Sequence, residues 1–162
     1  MTTTIEDVRD FLAQRRIAMI GVSRNPKDFS RVLFRDLCKW GYDMVAVNRS
    51  ATEIDGHPCF ASVREIQPAP DGALLMAPAS QTLQLVRECE AAGVGRIWMY
   101  RAGGQGAVNK DAVQFCHTRG LHLVEGHCPY MFLQEAPFFH RLHGFVLKLT
   151  GGYPRKAAEK AA

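Results

Sequence analysis

Three observations in the 162-residue sequence predict an α/β fold: a doubly wound, five-stranded parallel sheet with helices on both faces. Short apolar runs recur along the chain without the alternation of a one-sided sheet, so each strand is covered on both faces. Amphipathic segments with helical spacing alternate with these runs. A glycine stands between a helix and the next strand three times, in the left-handed position just past a helix C-terminus. Alternation of strand and helix with short connections means βαβ units and a parallel sheet.

The elements follow in order. Thr3 and Glu6 fit a capping box that opens a helix over residues 4–14. The first strand is the run IAMI at 17–20, and Gly21 ends it. Residues 30–40 form a helix with Val32, Leu33, Leu37 and Trp40 on one face. Gly41 follows, then the second strand, MVAV at 44–47. Residues 49–71 hold Gly56, Pro58, Pro68 and Pro70 and read as a loop, with a short strand near Cys59 and Phe60 and helical turns at 62–66. The third strand is ALLMA at 73–77. A helix at 80–92 carries Leu83, Leu85, Val86 and Cys89, and Gly93 leads to the fourth strand at 97–99. A helix at 109–119 carries Ala112, Val113 and Cys116, and Gly120 leads to the fifth strand, LHLV at 121–124. Residues 138–149 form an amphipathic helix with Phe138, Leu142, Phe145, Val146 and Leu149 on one stripe. The domain is thus expected over 1–150, with a frayed tail at 151–162.

Composition narrows the function. Apolar residues make up 47% and charged residues 22%, the balance of an ordinary globular protein. No apolar run approaches the roughly 20 residues of a membrane-spanning helix. The acidic N-terminal turn lacks a signal-peptide core, so a cytoplasmic protein is expected. The net charge of +4 suits an anionic small molecule, and neither nucleic acid nor membrane is expected as a partner. The cysteines at 38, 59, 89, 116 and 128 form no C-x-x-C pair, which argues against a zinc cluster or a disulfide framework. His140 and His143 stand three apart on the last helix, but no local Cys or carboxylate completes a metal set.

In an open parallel sheet, ligands bind beyond the carboxyl ends of the strands. The first such segment, Gly21, Val22, Ser23 and Arg24, leads through Lys27 to a helix start at Ser30 and Arg31. It is either a phosphate cradle of backbone amides, a helix N-terminus and basic side chains, or a solvated basic turn. The second ends in Asn48 and Arg49. A basic residue there suits a phosphorylated ribose, as in NADP or coenzyme A, where NAD wants an acid. Ala77 and Pro78 end the third strand without long side chains, so a flat ring could lie on them; the alternative is a simple helix-entry turn. The fourth and fifth strands end in Arg101, Gly103 and Gly104 and in Glu125, Gly126, His127 and Cys128.

In this order and spacing, residues 15–130 resemble the CoA-binding domain family, the Rossmann-like module that also forms the N-terminal part of succinyl-CoA synthetase α subunits. IAMIGVS is similar to the family's first strand and loop, and GYDMVAVNRS to its G-Y-x-V-x-x-V-N-P segment. IDGHPCFASVREI resembles its I-x-G-x-x-x-Y-x-S-x-x-x-I connection. GALLMAPAS, RIWMYRAGG and VEGHCPYM match its third strand, its fourth strand with a glycine turn, and its closing Cys-Pro. The resemblance implies coenzyme A, or an acyl-CoA, lying across the strand ends. The loop from Gly21 to Lys27 with Ser30 and Arg31 would hold phosphates. Asn48, Arg49, Ala77 and Pro78 would border the adenosine, and Arg101, Gly103 and Gly104 would lie towards the pantetheine. Arg49 replaces the family's proline, Tyr100 and Arg101 add bulk before the glycine turn, and residues 131–162 lie outside the resemblance. The synthetases also need a phosphorylated His on a second domain, so their activity is not implied.

No catalytic residue is assigned. His127 and Cys128 are adjacent, and neighbours on an extended segment point to opposite faces, a poor arrangement for sharing a proton. Cys128 would still stand where it could form a mixed disulfide with a cofactor thiol. The first expectation is a small non-catalytic CoA-binding protein: a carrier, a sensor or a partner of another enzyme. The alternatives are an NADP-dependent or acyl-CoA-handling enzyme completed by oligomerisation, and an interaction protein that keeps the fold but not the ligand. In the last case the 138–149 stripe is a contact surface or homodimer seam rather than packing on its own sheet.

Overall fold

A computed structural model describes residues 3–101, 106–133 and 154. The expected helix at 138–149, most of the tail, Gly103, Gly104, His140 and His143 lie outside the described residues. The expected elements within the described residues are present within a residue or two of their sequence bounds: α1 (Ile5–Leu12), β1 (Arg16–Ile20), α2 (Phe29–Lys39) and β2 (Asp43–Val47); the segment read as a loop holds β3 (Glu53–Ile54), which was not expected, and β4 (His57–Phe60), at the short strand expected near Cys59 and Phe60. There follow β5 (Gly72–Leu75), α3 (Ala79–Ala91), β6 (Arg96–Met99), α4 (Lys110–Arg119) and β7 (His122–Glu125). Gly41, Gly93 and Gly120 all have positive φ just past their helices.

The sheet has seven strands, ordered β3-β4-β2-β1-β5-β6-β7, rather than five. The five expected strands are mutually parallel. The two extra ones come from the segment read as a loop. Asp55 and Gly56 both have positive φ, the backbone of a tight hairpin turn, and they fold β3 antiparallel onto β4. β4 then joins β2 through two residue pairs, Ala46 with Cys59 and Val47 with Phe60. The helical turn expected at 62–66 is a 3-10 turn over Val63–Glu65.

Strand residues alternate between two cores. Ile17, Met19, Met44, Ala46, Leu74, Trp98 and Val124 pack with Val8, Phe11, Leu33, Phe34 and Leu37 of α1 and α2. Ala18, Ile20, Val45, Val47, Ala73, Leu75, Ile97 and Met99 pack with Leu85, Val86, Cys89, Ala112 and Cys116 of α3 and α4. From β1 the chain passes to β2 on one side and later to β5 on the other. Helices α2 and α3, which leave β1 and β5, therefore cover opposite faces. A crevice opens between their starting points at the carboxyl end of the sheet.

Two local expectations are corrected. Val32 is exposed on α2, and Phe34, fully buried, takes its place on the inner face. The N-terminal capping box is Thr4 with Asp7, one residue later than expected. Thr3 is drawn off instead, its hydroxyl accepting the Glu125 backbone N–H at 2.7 Å and covering the outer edge of β7.

Candidate functional site

The strand-end crevice holds a cleft of about 190 Å³. Its floor is apolar: Ile20 and Gly21 from β1, Val47 from β2, Val63, Ala77 after β5, and Leu85 from α3. Its rim is polar, with Asn48, Arg49, Ser62, Gln81 and Glu88. Beyond Arg49 and Ala61, which border both spaces, a shallower groove of about 660 Å³ runs along the β3–β4 hairpin past Arg24, Arg31, Ser50, Thr52 and Cys59.

Gly21 is where two strand ends meet. Its φ is +95°, and a Cβ there would lie 3.0 Å from the Ala77 backbone nitrogen. No other residue type allows this backbone and this approach together. Asn48 ties the second end to the first. Its side-chain amide donates to the Val22 carbonyl at 2.7 Å, and its Oδ1 accepts the Ser50 N–H at 2.8 Å.

The β1–α2 loop is held by its own side chains. The Ser30 hydroxyl accepts the Ser23 N–H, the Ser23 hydroxyl accepts the Asn25 N–H, and Asn25 Oδ1 accepts the Lys27 N–H. The N-cap of α2 is Asp28, whose carboxylate accepts the Ser30 N–H at 2.9 Å. The expected start at Ser30 therefore moves back to Phe29, and an acid already occupies the helix terminus, the position an anion would take. Positive charge at this site comes from side chains rather than from a nest of amides.

Arg31 is committed too. It forms a two-bond fork with Asp55 at the hairpin tip, at 2.6 and 2.8 Å, and also donates to the Ser23 and Arg24 carbonyls. The fork holds the Asp55 carboxyl below, and the Arg31 guanidinium above, their ordinary ranges. Arg31 thus positions the loop against the hairpin. An Asp55→Asn chain is expected to lose about 0.5–1.5 kcal/mol of stability, since the pair is partly screened by solvent. Because the folded-state carboxyl titrates below the unfolded value of about 3.9, that difference is full above pH 5. It disappears as pH falls through the folded value. Denaturant melts at pH 7 and pH 3 check it; equal gaps at both pH values refute it.

Of the sequence-predicted residues, Gly21, Asn48, Arg49 and Ala77 line the cleft, and Arg24, Arg31 and Arg49 the groove. Val22 is fully buried and Ser30 nearly so. Lys27 is exposed on the loop. Pro78 caps α3 by backbone and is exposed. Arg101 lies away from the cleft, its guanidinium against Gly126 at the end of β7. Sequence reasoning missed Ser62, Gln81, Leu85, Glu88 and Asp55. Residues 81, 85 and 88 share a helix face, which was the available signal. Cys128 is 5% exposed, and burial pushes its thiol up to about 11, so neutral pH does not favour the reactive thiolate. Burial lowers His127, and its backbone carbonyl accepts the Trp98 indole N–H at 2.9 Å.

A strand-end cleft joined to an arginine-lined groove fits a nucleotide, and the comparisons name the class. The model of the CoA binding domain matches residues 15–134. The chain belongs to the CoA-binding domain family. This CoA-binding domain is 29% identical, over 73% of its length, to the alpha subunit of ADP-forming acetate–CoA ligase II from Pyrococcus furiosus. It is 30% identical, over 74% of its length, to ADP-forming acetate–CoA ligase I from Archaeoglobus fulgidus. It spans 27% and 18% of those two proteins. Among solved structures, a hypothetical protein from Pyrococcus horikoshii superposes with a TM-score of 0.72 at 25% identity, covering 89% of this chain and 92% of that one. Among the described residues of the CoA-binding domain, no helix is long and apolar enough to cross a membrane.

Proposed function

We propose that this chain binds coenzyme A, or an acyl-CoA, as a non-catalytic carrier, sensor or partner of another protein. The observation that carries the reading is the continuity of cleft and groove at Arg49, in a chain of this family. The apolar floor of Gly21, Val47 and Ala77 suits the face of an adenine ring. Arg49, 70% exposed and 3.9 Å from Glu88, is free to turn to a ribose phosphate, and Arg24 and Lys27 stand nearby on the loop. The raised thiol of Cys128 and the lowered imidazole of His127 support binding rather than nucleophilic chemistry. The five free cysteines suit the reducing cytoplasm.

Calorimetric titration with coenzyme A, acetyl-CoA, NADP and NAD tests the reading. Coenzyme A is expected to bind in the micromolar range, and Arg49→Ala to weaken it about tenfold, the worth of one charge-assisted contact. Tighter binding of NADP, or no binding of coenzyme A, overturns it. A second reading, an acyl-CoA site completed by another chain, is favoured by the small part of the two ligases that this chain spans. It predicts that coenzyme A binds alone but no acyl transfer occurs without a partner.

A further inference from the structure

The cleft contains an acid that no strand end supplies. Glu88 reaches in from α3, and its side chain is only 13% exposed. Its Oε1 accepts a 2.9 Å bond from the Gln84 side-chain amide, with Arg49 Nη2 at 3.9 Å. Its Oε2 has one long contact, the Ser62 hydroxyl at 3.5 Å. A carboxylate offers about four acceptor positions, and leaving them unfilled away from water is costly. The unfilled positions lie at the rim of a cleft whose floor, Ile20, Gly21, Val47, Ala77 and Leu85, carries no polar side chain. Its size, about 190 Å³, is below the roughly 300 Å³ of a whole-ligand pocket, which suits one ring system rather than an entire nucleotide.

We infer that Glu88 is a specificity-determining residue that reads the exocyclic amino group of an adenine ring seated in this cleft. The inference rests on the coenzyme A reading above and deepens it. Adenine presents two N–H donors at that position, which fill the open acceptor sites of Glu88. A purine with an oxygen there turns a lone pair towards the carboxylate and is rejected, as a site built around a hydrogen bond rejects a ligand that cannot make it. Arg49 then serves the phosphorylated ribose while Glu88 serves the base, and the two charges keep each other in place when the cleft is free.

The test is titration of the full chain with coenzyme A, with its deaminated analogue carrying hypoxanthine, and with its 2′-deoxy analogue. The chain is expected to prefer the adenine form by about tenfold or more. Glu88→Gln, whose amide both donates and accepts, is expected to bring the adenine and hypoxanthine forms within about threefold. Its melting temperature checks that the fold is kept. Unchanged discrimination in Glu88→Gln overturns the inference, as does a parent chain that does not discriminate. If the variant instead loses discrimination against the 2′-deoxy analogue, Glu88 reads the ribose and the base assignment falls. Failure of the parent chain to bind coenzyme A at all removes the functional reading itself, whereas binding without base discrimination removes this inference alone.

Discussion

A Gly21→Val chain is expected to melt about 10 °C below the parent and to lose measurable coenzyme A binding. Two costs combine. A β-branched residue held at a φ of +95° is strained by about 1–3 kcal/mol. Its Cβ would also press on Met76 and Ala77 backbone at 3.0–3.3 Å, and backbone in a packed sheet end cannot turn aside as a long side chain can. Overpacking of this kind costs a further 1–3 kcal/mol or so. The strand end either moves away, widening the cleft, or the fold weakens. Gly21→Ala keeps the backbone strain and the Cβ contact without branching, and is expected to fall between. Calorimetric melting and titration check both variants; a Gly21→Val chain within 2 °C of the parent with unchanged affinity contradicts the close approach.

Trp98→Ala is expected to be the most destabilising single truncation, by about 3–5 kcal/mol. Trp98 is fully buried at the centre of β6. Its ring meets Phe11 of α1 edge-on with centroids 5.2 Å apart, and Phe132 at 6.0 Å. Its indole N–H holds the His127 carbonyl. Removing it opens a cavity and frees both the first helix and the turn after β7. Trp98→Phe separates the parts: it keeps much of the packing but leaves the carbonyl without its donor, a cost of about 1–2 kcal/mol. Denaturant unfolding measures both. Alkylation adds a local readout, because Cys128, slow to react while 5% exposed, is expected to react faster in Trp98→Ala. A loss below 1 kcal/mol in Trp98→Ala refutes the packing account.

What was legible in the sequence follows the strength of the physical signal. The five long strands declared themselves because residues on both of their faces are buried, and three helices because a glycine ended each. Where two registers competed, local pattern did not decide. Thr3 with Glu6 and Thr4 with Asp7 are both capping boxes by spacing, and the bond from Glu125 to Thr3 selects the second. The hairpin was overlooked because Glu53–Ile54 is too short to show alternation, so the short strand expected near Cys59 and Phe60 was left without its partner, although Asp55-Gly56 is a turn signal. The site was half legible. Gly21, Asn48, Arg49 and Ala77 lie at strand ends, where the topology of an open parallel sheet seats a ligand. Glu88 lies on a helix, 39 positions from Arg49 in the numbering, and only folding brings them together. The phosphate loop shows the converse: composition suggested open amides, and Ser23, Asn25, Asp28 and Ser30 close them.

The hairpin that borders the groove hangs from the sheet by two residue pairs and is pinned at its tip by the Asp55–Arg31 fork. The cleft, by contrast, is walled by the ends of strands paired along their full length. The two halves of the binding surface therefore differ in stiffness. The half that would seat the base is as rigid as the sheet, while the half facing the phosphates is a cantilever whose width is set by the ion pairs of Asp55 with Arg31 and Arg35. Changes in hairpin length or tip chemistry can retune the groove for a different anionic arm without disturbing the seat of the ring.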